Sequence, residues 1–69
     1  MQLSARNQFP GRVTNVHMGE VMAEISIDIG GGNVIVSAIT RDSAERLGLA
    51  NGDQVVAIVK STEVLVGKS

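Results

Sequence analysis

The sequence predicts an all-β fold: a small five-stranded barrel of the OB type, closed or nearly closed, with one short helix after its third strand. Three observations carry this. Val21, Ala23, Ile25, Ile27 and Ile29 alternate with Glu20, Met22, Glu24, Ser26 and Asp28, the period-two signature of a strand with one dry face. Gly30-Gly31-Gly32-Asn33 then offers residues that enter positive φ cheaply, so the chain turns back into a second apolar stretch. Taken in order, the chain reads strand, strand, strand, helix, strand, strand, the succession of such a barrel.

The elements follow along the chain. Phe9-Pro10-Gly11 precedes a first strand of mixed polarity, Arg12 to His17. The alternating residues 20–29 form the second, and Asn33 to Thr40 the third. That third strand is apolar on both faces, which predicts burial on both sides, one against the core and one against a neighbouring subunit. Arg41 to Gly48 has helix formers, with Asp42 or Ser43 as the N-cap and Gly48 as the stop. Asn51-Gly52-Asp53 marks a turn. Gln54 to Lys60 and Glu63 to Val66 read as the last two strands. No repeat, linker or low-complexity segment divides the chain, so residues 1–69 are expected to form one domain.

A chain of 69 residues buries too little surface to be comfortable alone. With no cysteine and one histidine, disulfides and thiolate or His-rich metal sites are excluded, which leaves partner subunits as the means of stabilisation. The 43% hydrophobic content agrees with that. One aromatic residue, Phe9, argues against stacking platforms for bases or sugars. The net charge is −1, and Arg6, Arg12, Arg41, Arg46, Lys60 and Lys68 are scattered, so no basic face for nucleic acid emerges. The N-terminal residues lack an apolar signal core, and the longest apolar run, Val55 to Val59, is too short to cross a bilayer. A soluble cytoplasmic protein with no membrane partner is expected.

The inventory for catalysis is poor. His17 sits in a strand with no motif around it and reads as a surface or interface residue. Glu20, Glu24 and Asp28 share one solvated strand face, without the apolar surroundings that raise a carboxylate pKa for acid-base work. The triple glycine matches neither G-x-G-x-x-G nor a Walker loop, and no helix follows it. A non-enzymatic protein is predicted.

Three segments are more informative together. Ser4-Ala5-Arg6-Asn7 offers a hydroxyl, a guanidinium and an amide; Thr40-Arg41-Asp42-Ser43 sets two hydroxyls at a strand–helix junction with free backbone N–H groups; Lys60-Ser61-Thr62 adds an ammonium and two hydroxyls. Read singly, they are a terminus, a helix cap and a turn. With Gly11-Arg12-Val13, Val21-Met22-Ala23-Glu24-Ile25, Ala38-Ile39 before Thr40, Leu47-Gly48-Leu49, Gly52-Asp53-Gln54-Val55 and Val59-Lys60-Ser61-Thr62-Glu63-Val64, they resemble the molbindins, the small free-standing Mop domains of TOBE type, along nearly the whole chain.

The resemblance implies an OB-like barrel whose subunits exchange or share strands, assembled as a homo-hexamer, a trimer of dimers. It implies molybdate or tungstate held at subunit interfaces for storage or homeostasis, with no further cofactor. By position, the oxyanion would be contacted by Ser4, Arg6, Thr40, Ser43, Lys60 and Ser61, drawn from more than one subunit. The chemistry is coherent. Molybdate at neutral pH is a dianion that only accepts hydrogen bonds, and hydroxyls, N–H groups, Lys and Arg supply donors. Hydrogen phosphate would leave its own proton facing donors, at roughly 1–3 kcal/mol per unsatisfied group. Sulfate is rejected only by cavity size, and tungstate is nearly the size of molybdate.

Two other readings stand beside this one. Leu47 to Val55 also resembles the loop before a strand in AbrB-like swapped-hairpin DNA-binding modules, against which the scattered basic residues and negative charge weigh. A structural assembly module without ligand predicts the same oligomer but no anion-dependent stabilisation.

Overall fold

The computed structural model describes residues 4–69. Four strands, β1 (Asn7–Met18), β2 (Met22–Gly30), β3 (Asn33–Thr40) and β4 (Gln54–Val59), form one antiparallel sheet in the order β3-β2-β1-β4. The helix α1 (Arg41–Leu47) follows β3 directly, and a single 3₁₀ turn (Ser61–Glu63) follows β4.

The organising element is β1, which serves two neighbours in succession. Its first half, Asn7 to Arg12, pairs with β4, and its second half, Arg12 to Met18, pairs with β2. Arg12 is the handover, opposite both Gln54 and Asp28. A register shift between Val13 and Asn15 bends the strand there, as an extra residue in a ladder does. The backbone of Val13 meets the turn before β4: its N–H donates to Asp53 O at 2.9 Å, and its carbonyl accepts from Gly52 N at 2.8 Å. At the same crossing, a Cβ on Gly11 would lie 2.7 Å from both Asp28 O and Ile27 Cγ2, so only glycine fits.

The core is small: Val13, Ala23, Ile25, Ile27 and Ala57 from the strands, with Ala44 of α1 fully buried over them. The alternation in β2 therefore does what period two dictates. Met22, Glu24 and Asp28 face outward and Ser26 is half-buried, while Ile29 packs at the margin of the core. Val21 departs from the pattern, being 73% exposed in the turn before β2.

The expected β3 and helix are found with nearly unchanged bounds, and four other expectations are corrected. First, β1 starts at Asn7 rather than Arg12. Pro10 is tolerated because residues 7–11 have only one neighbouring strand. Second, the helix is capped by Thr40, not by Asp42 or Ser43. Thr40 is still extended (φ −68°, ψ 148°), the backbone a cap requires, whereas Asp42 and Ser43 already lie within the helix.

Third, Glu63 to Val66 do not form a fifth strand. Glu63 ends the 3₁₀ turn, and Leu65 and Val66 are more than 90% exposed, because no strand edge of the same chain lies beside them. Fourth, the sheet is therefore open. The edges β3 and β4 flank an apolar groove of about 430 Å³ lined by Ile35, Ile39, Val55, Val59, Lys60 and Glu63. That gap is where a fifth strand would close an OB barrel. Of the two apolar faces of β3, only the one carrying Ile35 and Ile39 is packed within the chain, leaving Val34 and Val36 more than half exposed.

Candidate functional site

The six residues expected to hold an oxyanion fall into two groups. The last pair of the β1–β4 ladder, Asn7 with Val59, sets the segment entering β1 beside the segment leaving β4. Ser4 and Arg6 precede Asn7, and Lys60 and Ser61 follow Val59, so these four converge at one end of the sheet. Ser4, Arg6, Lys60 and Ser61 are all exposed. Lys60 opens the 3₁₀ turn without a capping bond from its side chain, and its carbonyl accepts from Glu63 N at 2.9 Å. Asn7 Nδ2 donates to Ser61 Oγ at 3.4 Å, joining residues 54 apart in sequence.

Thr40 and Ser43 form the other group. Thr40 pairs with Met22, beyond the point where Met18 pairs with Ala23, so it lies past the far end of β1. About 35 Å of strand separates the two groups along β1 at the usual rise per residue. Among the described residues, no hydrogen bond or ion pair links them.

The hydroxyl pair is organised tightly. Ser43 N donates to Thr40 Oγ1 at 3.1 Å, and Thr40 Oγ1 donates to Ser43 Oγ at 2.8 Å. Arg46 Nη2 reaches the same Oγ at 3.4 Å. Ser43 Oγ thus accepts from two groups, and its own hydrogen is left to be donated outward. Ser61 Oγ is in the same position, accepting from Asn7 and able to donate. The amide of Ser43, expected to be free, is spent on the cap. The first group carries the donors of Arg6, Lys60 and Ser61, and in the second the Thr40 hydrogen is spent on Ser43, leaving the Ser43 hydroxyl to donate; such donors suit a fully deprotonated anion.

Three further residues bear on the candidate site although none is among its six expected contacts. Asn7 and Arg46 each support a hydroxyl of the site. Arg41 binds the turn between β1 and β2 to the helix through Gly19 O and Glu45. Asn7 lies within the Ser4–Asn7 motif, which is its only signal; the i,i+4 spacing of Arg41–Glu45 and Asp42–Arg46 is that of the arginines. His17, opposite Glu24 on the outer face, is exposed, in keeping with its reading as a surface strand residue. Among the described residues, no group of three or more histidines and carboxylates could hold a metal ion, and no helix is long and apolar enough to cross a membrane.

Comparison with known proteins bears on the family and the fold. The family model of the TOBE domain matches residues 3–66. The molybdenum-pterin-binding protein 2 of Clostridium pasteurianum is 47% identical over 66 residues, which is 96% of this chain and 97% of that protein. A molybdate-binding protein from Sporomusa ovata superposes with a TM-score of 0.91 at 44% identity, covering 99% of this chain and all of that one. The cytoplasmic molybdate-binding protein ModG, solved with molybdate bound, gives 0.83 at 46% identity over 88% of this chain and 43% of its own. Relatives of matching length, a shared fold and a family model spanning nearly every residue agree: the chain belongs to the TOBE-domain family, among the molbindins (Mop proteins).

Proposed function

We propose that this chain binds molybdate, and tungstate by the same chemistry, in a site of donors shared between subunits of a homo-oligomer, and so stores or buffers the oxyanion in the cytoplasm. The relatives named for molybdenum or molybdate support the ligand. The observation that carries the shared site is the separation of the two donor groups. Ser4, Arg6, Lys60 and Ser61 lie at one end of β1, and Thr40 and Ser43 lie past the other. One anion touches both groups only when a second copy brings its own Thr40 and Ser43, or its own Lys60 and Ser61, to the first.

The same reading accounts for the open sheet. Residues 63–66 of one copy fill the β3–β4 gap of another, and the exposed face of β3 packs against a neighbour in a hexamer built as a trimer of dimers. Residues 1–69 then act as one domain whose role is binding, not catalysis. A nucleic-acid-binding reading gains no observation in its favour, since Arg41 and Arg46 are committed to Glu45 and Asp42.

Native mass spectrometry of the purified protein, with and without molybdate and with sulfate and phosphate as controls, tests this. A hexamer that gains molybdate masses and few sulfate or phosphate masses is expected. An oligomer that ignores molybdate would remove the function and leave the fold.

A further inference from the structure

Three bonds fix Arg41. Its backbone N–H donates to Val21 O at 2.8 Å, Nη1 donates to Gly19 O at 3.2 Å, and Nε lies 2.6 Å from Glu45 Oε1. Arg41 follows directly on the Thr40 cap, yet its guanidinium is turned to a carbonyl and a carboxylate. Thr40, Arg41 and Glu45 line one shallow cleft together with Glu20, Val21 and Asp42. A dianion held by the Thr40 side of that cleft lies in the field of Glu45, and a bare carboxylate there opposes its binding. The other acidic residue of α1 is treated alike, with Asp42 Oδ2 3.3 Å from Arg46 Nε. Exposed pairs such as these add little to stability. Glu20 has no ion pair among the described residues.

We propose that Arg41 is a positioning residue for the oxyanion site that acts through Glu45: their ion pair cancels a carboxylate that would otherwise repel the dianion beside Thr40, and the guanidinium itself does not contact the anion. This inference rests on the molybdate reading above. Arg41 works on binding by masking a charge.

Calorimetric titration of molybdate into the assembled full-length protein separates this from a structural role. The series is the parent, Arg41→Gln, Glu45→Gln, the double variant and Arg41→Lys. Arg41→Gln should weaken binding roughly three- to tenfold, more at low salt, as an unmasked charge does. Adding Glu45→Gln should return affinity to within about twofold of the parent, although the bond to Gly19 O stays broken. Arg41→Lys keeps the charge and should remain near the parent.

A double variant as weak as Arg41→Gln overturns the proposal, because the loss would then come from the broken bond or from direct contact with the anion. Parent-like binding by Arg41→Gln overturns it equally. Should Arg41→Gln fail to fold, Glu45→Gln alone decides: binding should tighten, since Arg41 is then uncancelled, and a weakening refutes the idea. A parent that takes up no molybdate would instead mean that the molybdate reading has failed, and this inference with it.

Discussion

Asn7 and Ser61, 54 residues apart, meet through a 3.4 Å hydrogen bond from the amide to the hydroxyl, at the end of the β1–β4 ladder where Asn7 pairs with Val59. This contact aligns the entry into β1 with the exit from β4, and so brings Arg6 and Lys60 to one place. In the proposed site, the ladder fixes the backbone from which these donors extend.

Lys60 is the most direct test of that end of the site. It is exposed and caps nothing with its side chain, so Lys60→Ala should leave the oligomer assembled and the melting temperature nearly unchanged. Molybdate affinity, measured by calorimetry, should fall at least tenfold, in line with roughly 1.5–3 kcal/mol for a hydrogen bond to a charged group. Parent-like affinity in that variant would mean that the site lies elsewhere.

At the other end, Thr40 has two tasks. Thr40→Val removes the helix cap, worth about 1 kcal/mol, and leaves Ser43 Oγ without its 2.8 Å donor. Both the melting temperature and molybdate affinity should drop, the affinity by roughly tenfold. Thr40→Ser keeps the hydroxyl and should restore both. A serine variant as impaired as the valine one would show that the methyl group, and not the hydroxyl, matters.

Val36 tests the outer face of β3. At 58% exposure it tolerates a charge within one chain, but not beneath a neighbouring subunit. Val36→Asp should therefore give smaller species in size-exclusion chromatography while each chain keeps its β-sheet circular dichroism. An intact oligomer carrying this aspartate would show that Val36 faces water.

Gly11 bears on the crossing of β1 over β2. A methyl group there would sit 2.7 Å from a backbone oxygen and from Ile27 Cγ2, so one strand must shift. Gly11→Ala should destabilise by about 1–3 kcal/mol, read as a lower thermal midpoint in calorimetry. An unchanged midpoint would show that the two strands separate freely at that crossing.

What the sequence makes legible is what neighbouring residues decide. The hairpin through Gly30-Gly31-Gly32, the strand that follows and the helix stop at Gly48 depend on local backbone preference, and all lie where expected. Residues 63–66 look like a strand because Val64, Leu65 and Val66 are apolar, yet strand identity needs pairing, and neither open edge of the sheet, β3 or β4, takes them up. The early start of β1 is hidden because Phe9-Pro10-Gly11 carries turn residues, whose presence in a strand is explained only by the single neighbour and the close crossing. At the site, the six donors come from motif resemblance, and their division into two groups is a property of register. The parts of Asn7, Arg41 and Arg46 arise from contacts that composition cannot display. Arg41 in particular is only one of several scattered basic residues in the sequence, and in the fold it is turned to a carbonyl and a carboxylate.

In the proposed assembly, the unclosed edge between β3 and β4 would make protein concentration a thermodynamic variable. If the missing strand comes from another molecule, each barrel is completed by mass action, and the apparent melting temperature rises with the amount of protein present. Anion uptake and subunit assembly then share one equilibrium. Dilution should loosen both together, and a cell that makes more of this chain gains capacity and retention at once.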